Sequence, residues 1–308
     1  MKRLPLLTAL LLLGTVITPF ITTAWARNGG AESNNAYGYS FSYTPIYQFD
    51  TDLDSGGGFD VSRHYVGFSV MRAFSRNLRT GLGLSYGFEK WDFSDLANVA
   101  GAAPWDTLHR PGVSVPIFYT FADSWTLGVA PAVEFSGESG ADVGQSLTYG
   151  GVLSLAHPFG RNLYLGLGFG IFDQLEETSF FPFIVIDWKI SDQFRVTNPF
   201  RAGPAGPAGL ELVYSPARNW EIGAGGAYRS NRFRLDDDGA VPDGVGENEF
   251  LVSFLRVQRT FSTRLRLDLA GGMIFGGQIS IENADGDKIQ STDYDPAPFV
   301  ALTFAGEF

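Results

Sequence analysis

Residues 298–308 read PFVALTFAGEF and alternate between two kinds of side chain. Large apolar residues occupy every second position, namely Val300, Leu302, Phe304 and Phe308, with Gly306 as the one interruption. Small or polar residues lie between them, namely Ala301, Thr303, Ala305 and Glu307. Because successive side chains of a β-strand point to opposite faces, this pattern predicts a strand whose two faces meet different solvents. An aromatic residue at the chain end is unusual for a soluble domain, whose termini tend to fray.

The same alternation recurs along the chain, most clearly in Leu78–Phe88, Leu127–Phe135, Leu163–Ile171 and Leu265–Leu269. The second face of these segments is mostly Gly, Ala and Ser with scattered charges. A soluble all-β sandwich or barrel would carry many more Lys and Glu residues on its water-facing surface. Aromatic residues also cluster at the segment ends, as in the interfacial girdles of membrane barrels. The pattern therefore favours a membrane-spanning barrel.

Two kinds of break separate the alternating segments, and they themselves alternate. The short breaks are Phe74–Leu78, Phe121–Trp125, Phe159–Leu163, Ile190–Phe194, Pro216–Trp220 and Phe261–Leu265. The long breaks are Thr51–Gly58, Ser94–Thr107, Gly137–Gln145, Gln174–Ser179, Ala202–Gly209, Asp236–Gly246 and Asn283–Pro296. Thirteen connections predict an all-β, transmembrane, antiparallel up-and-down β-barrel of fourteen strands over residues 37–308, with short periplasmic turns and longer extracellular loops. The segments flanking Ala202–Gly209 are the weakest, and losing them would leave twelve strands.

The first 26 residues have the organisation of a secretory signal peptide. Lys2 and Arg3 precede an uncharged apolar run over Leu4–Phe20, and Ala24-Trp25-Ala26 supplies small residues before a cut at Arg27. Residues 27–36 are then expected to form a periplasmic tail or a short plug. The predicted location is the bacterial outer membrane, because lipid offers no partner to backbone groups and only a closed barrel satisfies them with strands.

The composition excludes several functional classes. The chain has 22 basic and 33 acidic residues, a net charge of −11, which argues against nucleic acid as a partner. It has no Cys, so neither disulfides nor a thiolate metal site can form. The acidic stretch Asp236–Glu247 lacks the spacing of an EF-hand and is predicted to be a solvated rim, at which divalent ions would at most bridge to lipopolysaccharide phosphates. We expect neither a cofactor nor a dedicated metal site.

Catalytic residues are sparse as well. The three histidines are His64, His109 and His157, and the residues two positions after them are Val66, Pro111 and Phe159, none of which is a nucleophile. Outer-membrane lipases pair His with a Ser at that distance, so the sequence does not favour an enzyme. A lipid-modifying enzyme remains an alternative, because a catalytic triad needs spatial rather than sequence proximity.

Charged residues on the small-residue face are the candidate lumen lining. Since Arg or Lys facing lipid near the bilayer midplane costs about 2–4 kcal/mol, these side chains are expected to point inward. They are Arg79, Glu89, Glu134, Asp187, Lys189, Arg195, Arg201, Glu211, Glu221, Arg229, Arg266 and Asp268. They would either select solutes or form ion pairs that stiffen the barrel. In Phe250–Phe261 both faces are partly apolar, which predicts either a bulge or packing from inside the lumen.

Three segments resemble an uncharacterised family of bacterial outer-membrane barrels: Arg232–Asp236, Asp243–Glu247 and Asp293–Phe299. The final strand is similar to the closing strand of such barrels, which implies that Phe308 is an assembly signal for the barrel assembly machinery. This resemblance implies fold and location and carries no known activity. A looser similarity, to barrels encoded with aromatic-degradation pathways, suggests uptake of small hydrophobic compounds.

The function predicted from these features is a passive channel or porin for small solutes, with small hydrophobic or aromatic compounds as candidates. The alternative is a closed structural barrel whose acidic loops bind a partner or lipopolysaccharide. An open lumen would favour the channel, whereas a lumen filled by side chains would favour the structural barrel.

Overall fold

The structure, a computed structural model, describes residues 37–95, 103–121, 124–198, 209–262 and 264–308. The predicted signal peptide, the predicted tail and Arg201 lie outside these ranges. Within them, no helix is long and apolar enough to cross a membrane.

The described residues form seventeen β-strands. In chain order they are β1 (Tyr37–Asp52), β2 (Gly58–Ala73), β3 (Leu78–Ser94), β4 (Thr107–Ser114), β5 (Ile117–Thr120), β6 (Thr126–Phe135), β7 (Gly137–Glu138), β8 (Leu147–Phe159), β9 (Leu163–Gln174), β10 (Glu177–Lys189), β11 (Phe194–Thr197), β12 (Gly209–Ala217), β13 (Trp220–Arg234), β14 (Val245–Ser262), β15 (Leu265–Glu282), β16 (Lys288–Tyr294) and β17 (Ala297–Glu307).

These strands are the segments of one closed antiparallel barrel with fourteen walls, as the sequence predicts. Neighbouring walls pair in chain order, and β17 pairs with β1 to close the sheet. Three walls are broken in two, as β4–β5, β6–β7 and β16–β17. The break between β4 and β5 contains Pro116, which has no backbone N–H to give to a neighbouring strand.

Two of the predicted long loops are shorter than the sequence suggests. Only Leu175 and Glu176 separate β9 from β10, and both adopt left-handed backbone angles, with φ of 48° and 73°. The predicted loop over Asn283–Pro296 contains β16, which pairs with the extracellular end of β15. In both places polar side chains are compatible with a strand, because the strand extends beyond the bilayer into water.

The barrel exterior is the apolar face of the alternating segments. In β17, Val300, Leu302 and Phe304 are exposed, whereas Ala301 and Thr303 are buried inside. In β1, six outward aromatic side chains are exposed in the same way: Tyr37, Tyr39, Phe41, Tyr43, Tyr47 and Phe49. An apolar outer band on a closed barrel is the surface that hydrocarbon requires, and it places this protein in the bacterial outer membrane.

The two faces predict a difference in chemical labelling between two serines. Ser42 points into the lumen near the periplasmic end and is half-buried, whereas Ser253 points outward and is exposed on the lipid-facing side. Because the chain has no Cys, Ser42→Cys and Ser253→Cys each introduce one thiol with little change in size. In membranes, a charged thiol reagent should label residue 42 and spare residue 253. Equal labelling of both would contradict the assigned faces.

The last residue takes part in closing the barrel. The Tyr39 N–H donates to the Phe308 carbonyl at 3.0 Å, and the Phe308 N–H donates to the Tyr39 carbonyl at 2.8 Å. Deleting Phe308 should reduce the heat-modifiable, folded band on unboiled gels. Phe308→Ala keeps the two backbone hydrogen bonds and removes only the side chain. If Phe308→Ala assembles normally while the protein lacking Phe308 does not, the aromatic ring is not the assembly signal.

Candidate functional site

The barrel lumen is the candidate site, and its extracellular end is filled by aromatic side chains. Trp105, from the connection between β3 and β4, is 1% exposed and meets the rings of Trp91, Phe93 and Phe233 edge-on, with ring centroids 5.4, 5.5 and 4.9 Å away. Phe59 completes this aromatic cluster, with its ring 5.1 Å from that of Trp91. The connection between β3 and β4 thus inserts a tryptophan into the lumen.

Below the aromatic cluster, one wall of the lumen is apolar. Phe250, Val252 and Phe254 of β14 point inward and are buried, and they belong to the same packed core as Ile274 of β15 and Phe299 of β17. This explains why both faces of Phe250–Phe261 are partly apolar: one face contacts lipid, and the other forms part of the apolar wall of the lumen. A register shift between Glu249 and Leu251 supplies the predicted bulge as well.

Strands β2 to β4 carry a buried charge cluster centred on Glu89 of β3. Its carboxylate accepts hydrogen bonds from Tyr65 Oη at 2.9 Å, Arg63 Nε at 3.3 Å and Trp91 Nε1 at 3.3 Å. The Nε atom of Arg110 lies 3.7 Å from the same carboxylate. Glu89 is 1% exposed, and two flanking guanidinium groups offset the cost of burying its charge.

A second charge cluster occupies the periplasmic half and is centred on Arg256 of β14. This guanidinium donates to Glu211 Oε1 at 2.8 Å and to Asp268 Oδ1 at 2.9 Å, and it lies 3.6 Å from Glu221 Oε2. Arg195 extends the network through Glu221 at 3.5 Å. The cluster therefore links five neighbouring walls of the barrel, β11 to β15, around one arginine.

The predicted lining residues do not all lie in one place. Glu211, Glu221, Asp268, Arg195 and Arg266 belong to the Arg256 cluster, with Arg266 at its edge, 4.0 Å from Asp268.

Of the remaining residues, Glu89 forms its own cluster, and Arg79, Glu134, Asp187 and Arg229 lie on inward strand positions. Lys189 instead pairs with Asp192 of a periplasmic turn at 2.7 Å, and Arg201 is outside the described residues. Whether these charges select solutes remains a prediction.

Five buried arginines are not among the predicted lining residues: Arg63, Arg110, Arg232, Arg234 and Arg256. Arg256 was missed because both faces of its segment contain apolar residues, which hides the inward set. Arg63 could have been found from the alternation of β2, in which Val66 and Phe68 mark the outward face.

Inward glycines do not leave the lumen open, contrary to what small residues suggest. The Gly170 position lies directly under the ring of Phe181, and Gly168 lies under Phe183, so that an added Cβ atom would collide with either ring. Glycine in one strand thus lets an aromatic side chain of the next strand lie flat across it. The Phe181 and Phe183 rings therefore occupy the lumen space beside these glycines.

At the extracellular end, β13 bends across the barrel. Arg234 pairs in parallel with Gly137 of β7, and its N–H donates to the Ser136 carbonyl at 3.0 Å. This parallel pairing closes a smaller ring of strands at the extracellular end. The ring runs from β13 to β17 and on from β1 to β7, and it leaves β8–β12 outside. The turn between β9 and β10 docks on the bend, where Arg232 donates to the Leu175 carbonyl at 3.1 Å and Arg234 to Glu176 at 2.7 Å.

Glu138 of β7 ties two connections together at the extracellular rim. Its carboxylate accepts hydrogen bonds from the N–H groups of Asp106 at 2.8 Å and Asp236 at 3.1 Å. Burial raises the pKa of this carboxyl above its usual value, although the two N–H donors favour the charged form. Within the described ranges, no group of three or more His, Asp or Glu residues is arranged to hold a metal ion.

Two of the histidines contact serines on the outside of the barrel. Neither serine lies two positions after its histidine, where the sequence pattern of outer-membrane lipases would place it. His64 Nε2 lies 3.4 Å from Ser62 Oγ, and His109 Nε2 lies 3.0 Å from Ser139 Oγ. The other ring nitrogen of each, Nδ1, is hydrogen bonded to a tyrosine hydroxyl rather than to a carboxylate. A Ser–His contact, which a lipid-modifying enzyme would need, is therefore present twice.

Known proteins resemble this chain in structure but not in sequence. No family model matches the chain, and no curated protein matches it in sequence. The structure is similar to the COG4313 outer membrane channel from Pseudomonas putida F1, with a TM-score of 0.49, 10% identity and coverage of 92% of this chain and 98% of that one.

Two further solved structures are similar. The toluene transporter TodX from P. putida has a TM-score of 0.46 and 9% identity, with 92% of each chain covered. A FadL homologue from Pseudomonas aeruginosa has a TM-score of 0.31 and 12% identity, covering 89% of this chain and 90% of that one.

Proposed function

We propose that this outer-membrane barrel passes small apolar solutes across the outer membrane and performs no chemistry on them. The observation that supports the proposal is the apolar wall inside the lumen, formed by Phe250, Val252, Phe254, Ile274 and Phe299. A pore for hydrophilic solutes has a polar interior, whereas burying large apolar residues on the lumen side suits an apolar cargo. Because side chains fill the extracellular end of the lumen, passage requires the Trp105 ring to move aside, and a barrel in which it stays in place is the structural alternative.

The partners in this proposal are small solutes and outer-membrane lipid. Lipopolysaccharide at the acidic extracellular rim and the barrel assembly machinery at the Phe308 end are part of the same proposal. So are export by a signal peptide over residues 1–26 and a periplasmic tail over residues 27–36.

Uptake by whole cells tests the passage of solute, since lipopolysaccharide keeps apolar compounds out of cells that lack a pathway. Expression should raise the initial rate of uptake of radiolabelled toluene. Val252→Thr should slow that uptake, because an apolar solute in contact with this wall would have to cover a hydroxyl that it cannot hydrogen bond. Val257→Thr, the same change on an outward position of β14, is the matched control. No increase over cells without the protein would refute the proposal.

A lipid-modifying enzyme is the second candidate, favoured by the contacts Ser62–His64 and Ser139–His109. Purified protein incubated with phospholipid or lipopolysaccharide should then release fatty acid, and Ser62→Ala or Ser139→Ala should abolish the release. Absence of acyl release, together with no labelling by a serine-directed fluorophosphonate, would remove this candidate.

A further inference from the structure

Four buried donor groups beside Glu89 have no hydrogen-bond acceptor among the described residues. They are Gln48 Nε2, Arg63 Nη2, Arg110 Nε and Arg110 Nη2, on side chains that are 0%, 4% and 6% exposed as whole residues. Buried N–H groups are almost always hydrogen bonded, so four in one cluster suggest that an acceptor from outside the chain completes them.

The neighbouring carboxylate cannot supply that acceptor. Both Glu89 oxygens already accept hydrogen bonds, Oε1 from Tyr65 and Oε2 from Arg63 Nε and Trp91. Arg110 Nε is paired with Oε1 by charge alone, since the two atoms are 3.7 Å apart. The amide oxygen of Gln48 is engaged as well, since it accepts from Arg63 Nη1 at 3.0 Å. The donors that remain are therefore additional to the internal network.

The charge around these donors favours an anion. Arg63 and Arg110 contribute two positive charges, against one negative charge on Glu89. Two more charged side chains face the same part of the lumen: Arg229, within electrostatic range of the Tyr65 hydroxyl, and Glu134, beside Gly112 on β4. The charges of Arg229 and Glu134 cancel each other. Arg63 and Arg110 against Glu89 therefore leave this part of the lumen with one excess positive charge.

The surroundings of the donors are aromatic and apolar. The Arg63 guanidinium lies 5.3 Å from the centroid of the Trp91 ring, and that of Arg110 lies 6.0 Å from the Phe233 ring. Ile46 and Val61 flank Arg63 from the neighbouring positions on the inward face and are buried. A ligand with one anionic oxygen group and an apolar body matches both the donors and their surroundings.

We propose that Gln48, Arg63 and Arg110 bind the carboxylate of a small apolar or aromatic monocarboxylic acid on its way through the lumen. The proposal rests on the passage of small solutes proposed above and specifies their class. Two arginines and an amide supply N–H donors to a carboxylate, and charge-assisted hydrogen bonds of this kind are among the strongest in proteins.

Benzoate and toluene, which share a ring and differ in the carboxylate, are the probes. Purified protein in detergent is titrated with each at neutral pH, and the tryptophan fluorescence is followed because Trp91 and Trp105 lie beside the site. Benzoate should saturate the signal at a concentration at least about tenfold below that for toluene, since the charged hydrogen bonds add to the apolar contact.

Gln48→Glu tests the donors without a change of size. The variant keeps an acceptor for Arg63, so it should fold, and it replaces the free N–H₂ group with a repelling oxygen. Benzoate binding should weaken by about tenfold or more. Gln258→Glu is the matched control, because Gln258 also accepts from an arginine, Arg256 Nη1 at 2.9 Å, outside the proposed site.

Equal affinity for benzoate and toluene, or benzoate binding that Gln48→Glu leaves unchanged, would overturn the subsite. Toluene uptake by cells that persists in that case leaves the passage proposal standing. Benzoate binding that is lost in Gln48→Glu but retained in Gln258→Glu supports the subsite, even where toluene uptake fails and the passage proposal falls.

Discussion

Replacing Trp105 with alanine is expected to turn a poorly conducting barrel into a conducting one. Trp105 is the centre of the aromatic cluster that fills the extracellular end of the lumen, and it comes from a connection rather than a strand. Removing the indole deletes the contacts to Trp91, Phe93 and Phe233 at once. Ion conductance of purified protein in planar bilayers should rise well above that of the wild type.

The same substitution should also lower stability, because truncating a buried Trp costs about 3–5 kcal/mol. Trp188→Ala is the control, since Trp188 faces outward and is 44% exposed. It should leave conductance unchanged. If Trp105→Ala folds, as judged by its heat-modifiable band, and still conducts no more than the wild type, the lumen is blocked elsewhere and the structural-barrel alternative gains.

Arg256→Met should produce the largest loss of stability among single substitutions in the lumen. Arg256 neutralises Glu211 and Asp268, which are 1% and 2% exposed, and it also approaches Glu221. Methionine replaces much of the volume but leaves these carboxylates without a cation. Breaking a buried ion pair from one side costs about 3–5 kcal/mol. The measurement is the free energy of unfolding in urea, followed by tryptophan fluorescence.

Arg266→Met provides the comparison, because Arg266 is at the edge of the same network. Its side chain is 33% exposed, and its ion pairs to Asp268 and Glu307 are 4.0 and 3.9 Å long. An exposed pair contributes about 0–1 kcal/mol, so this variant should unfold close to the wild type. Equal losses in the two variants would show that burial does not set the strength of this network.

The barrel was predictable from the sequence because alternation and turn spacing are local signals. The number of walls followed from thirteen breaks, and the outward faces followed from residues such as Leu302 and Phe304. The segments that were predicted wrongly also have a physical explanation. The segment Gln174–Ser179 is polar enough to suggest a loop, yet it is a tight turn between strands that leave the bilayer.

The contents of the lumen were less predictable, because they depend on contacts between distant strands. Nothing local to Trp105 indicates that its ring enters the barrel. Arg256 meets Glu211 across 45 residues of sequence, and Glu89 meets Arg63 across 26. What lies beside a glycine such as Gly170 is decided by the neighbouring strand, which places Phe181 there.

The pairing of β1 with β17 has a consequence for how the chain folds. Ser40 and Glu307 are register partners, so the first and last strands of the barrel are neighbours despite nearly the greatest possible separation in sequence. Contacts between remote segments form slowly, because chain entropy must be lost before they stabilise anything. The seam can therefore close only after the whole chain has been delivered, and until then two strand edges stay unpaired. A variant that weakens this seam should accumulate as an open, protease-sensitive sheet, whereas one that weakens an interior hairpin should not.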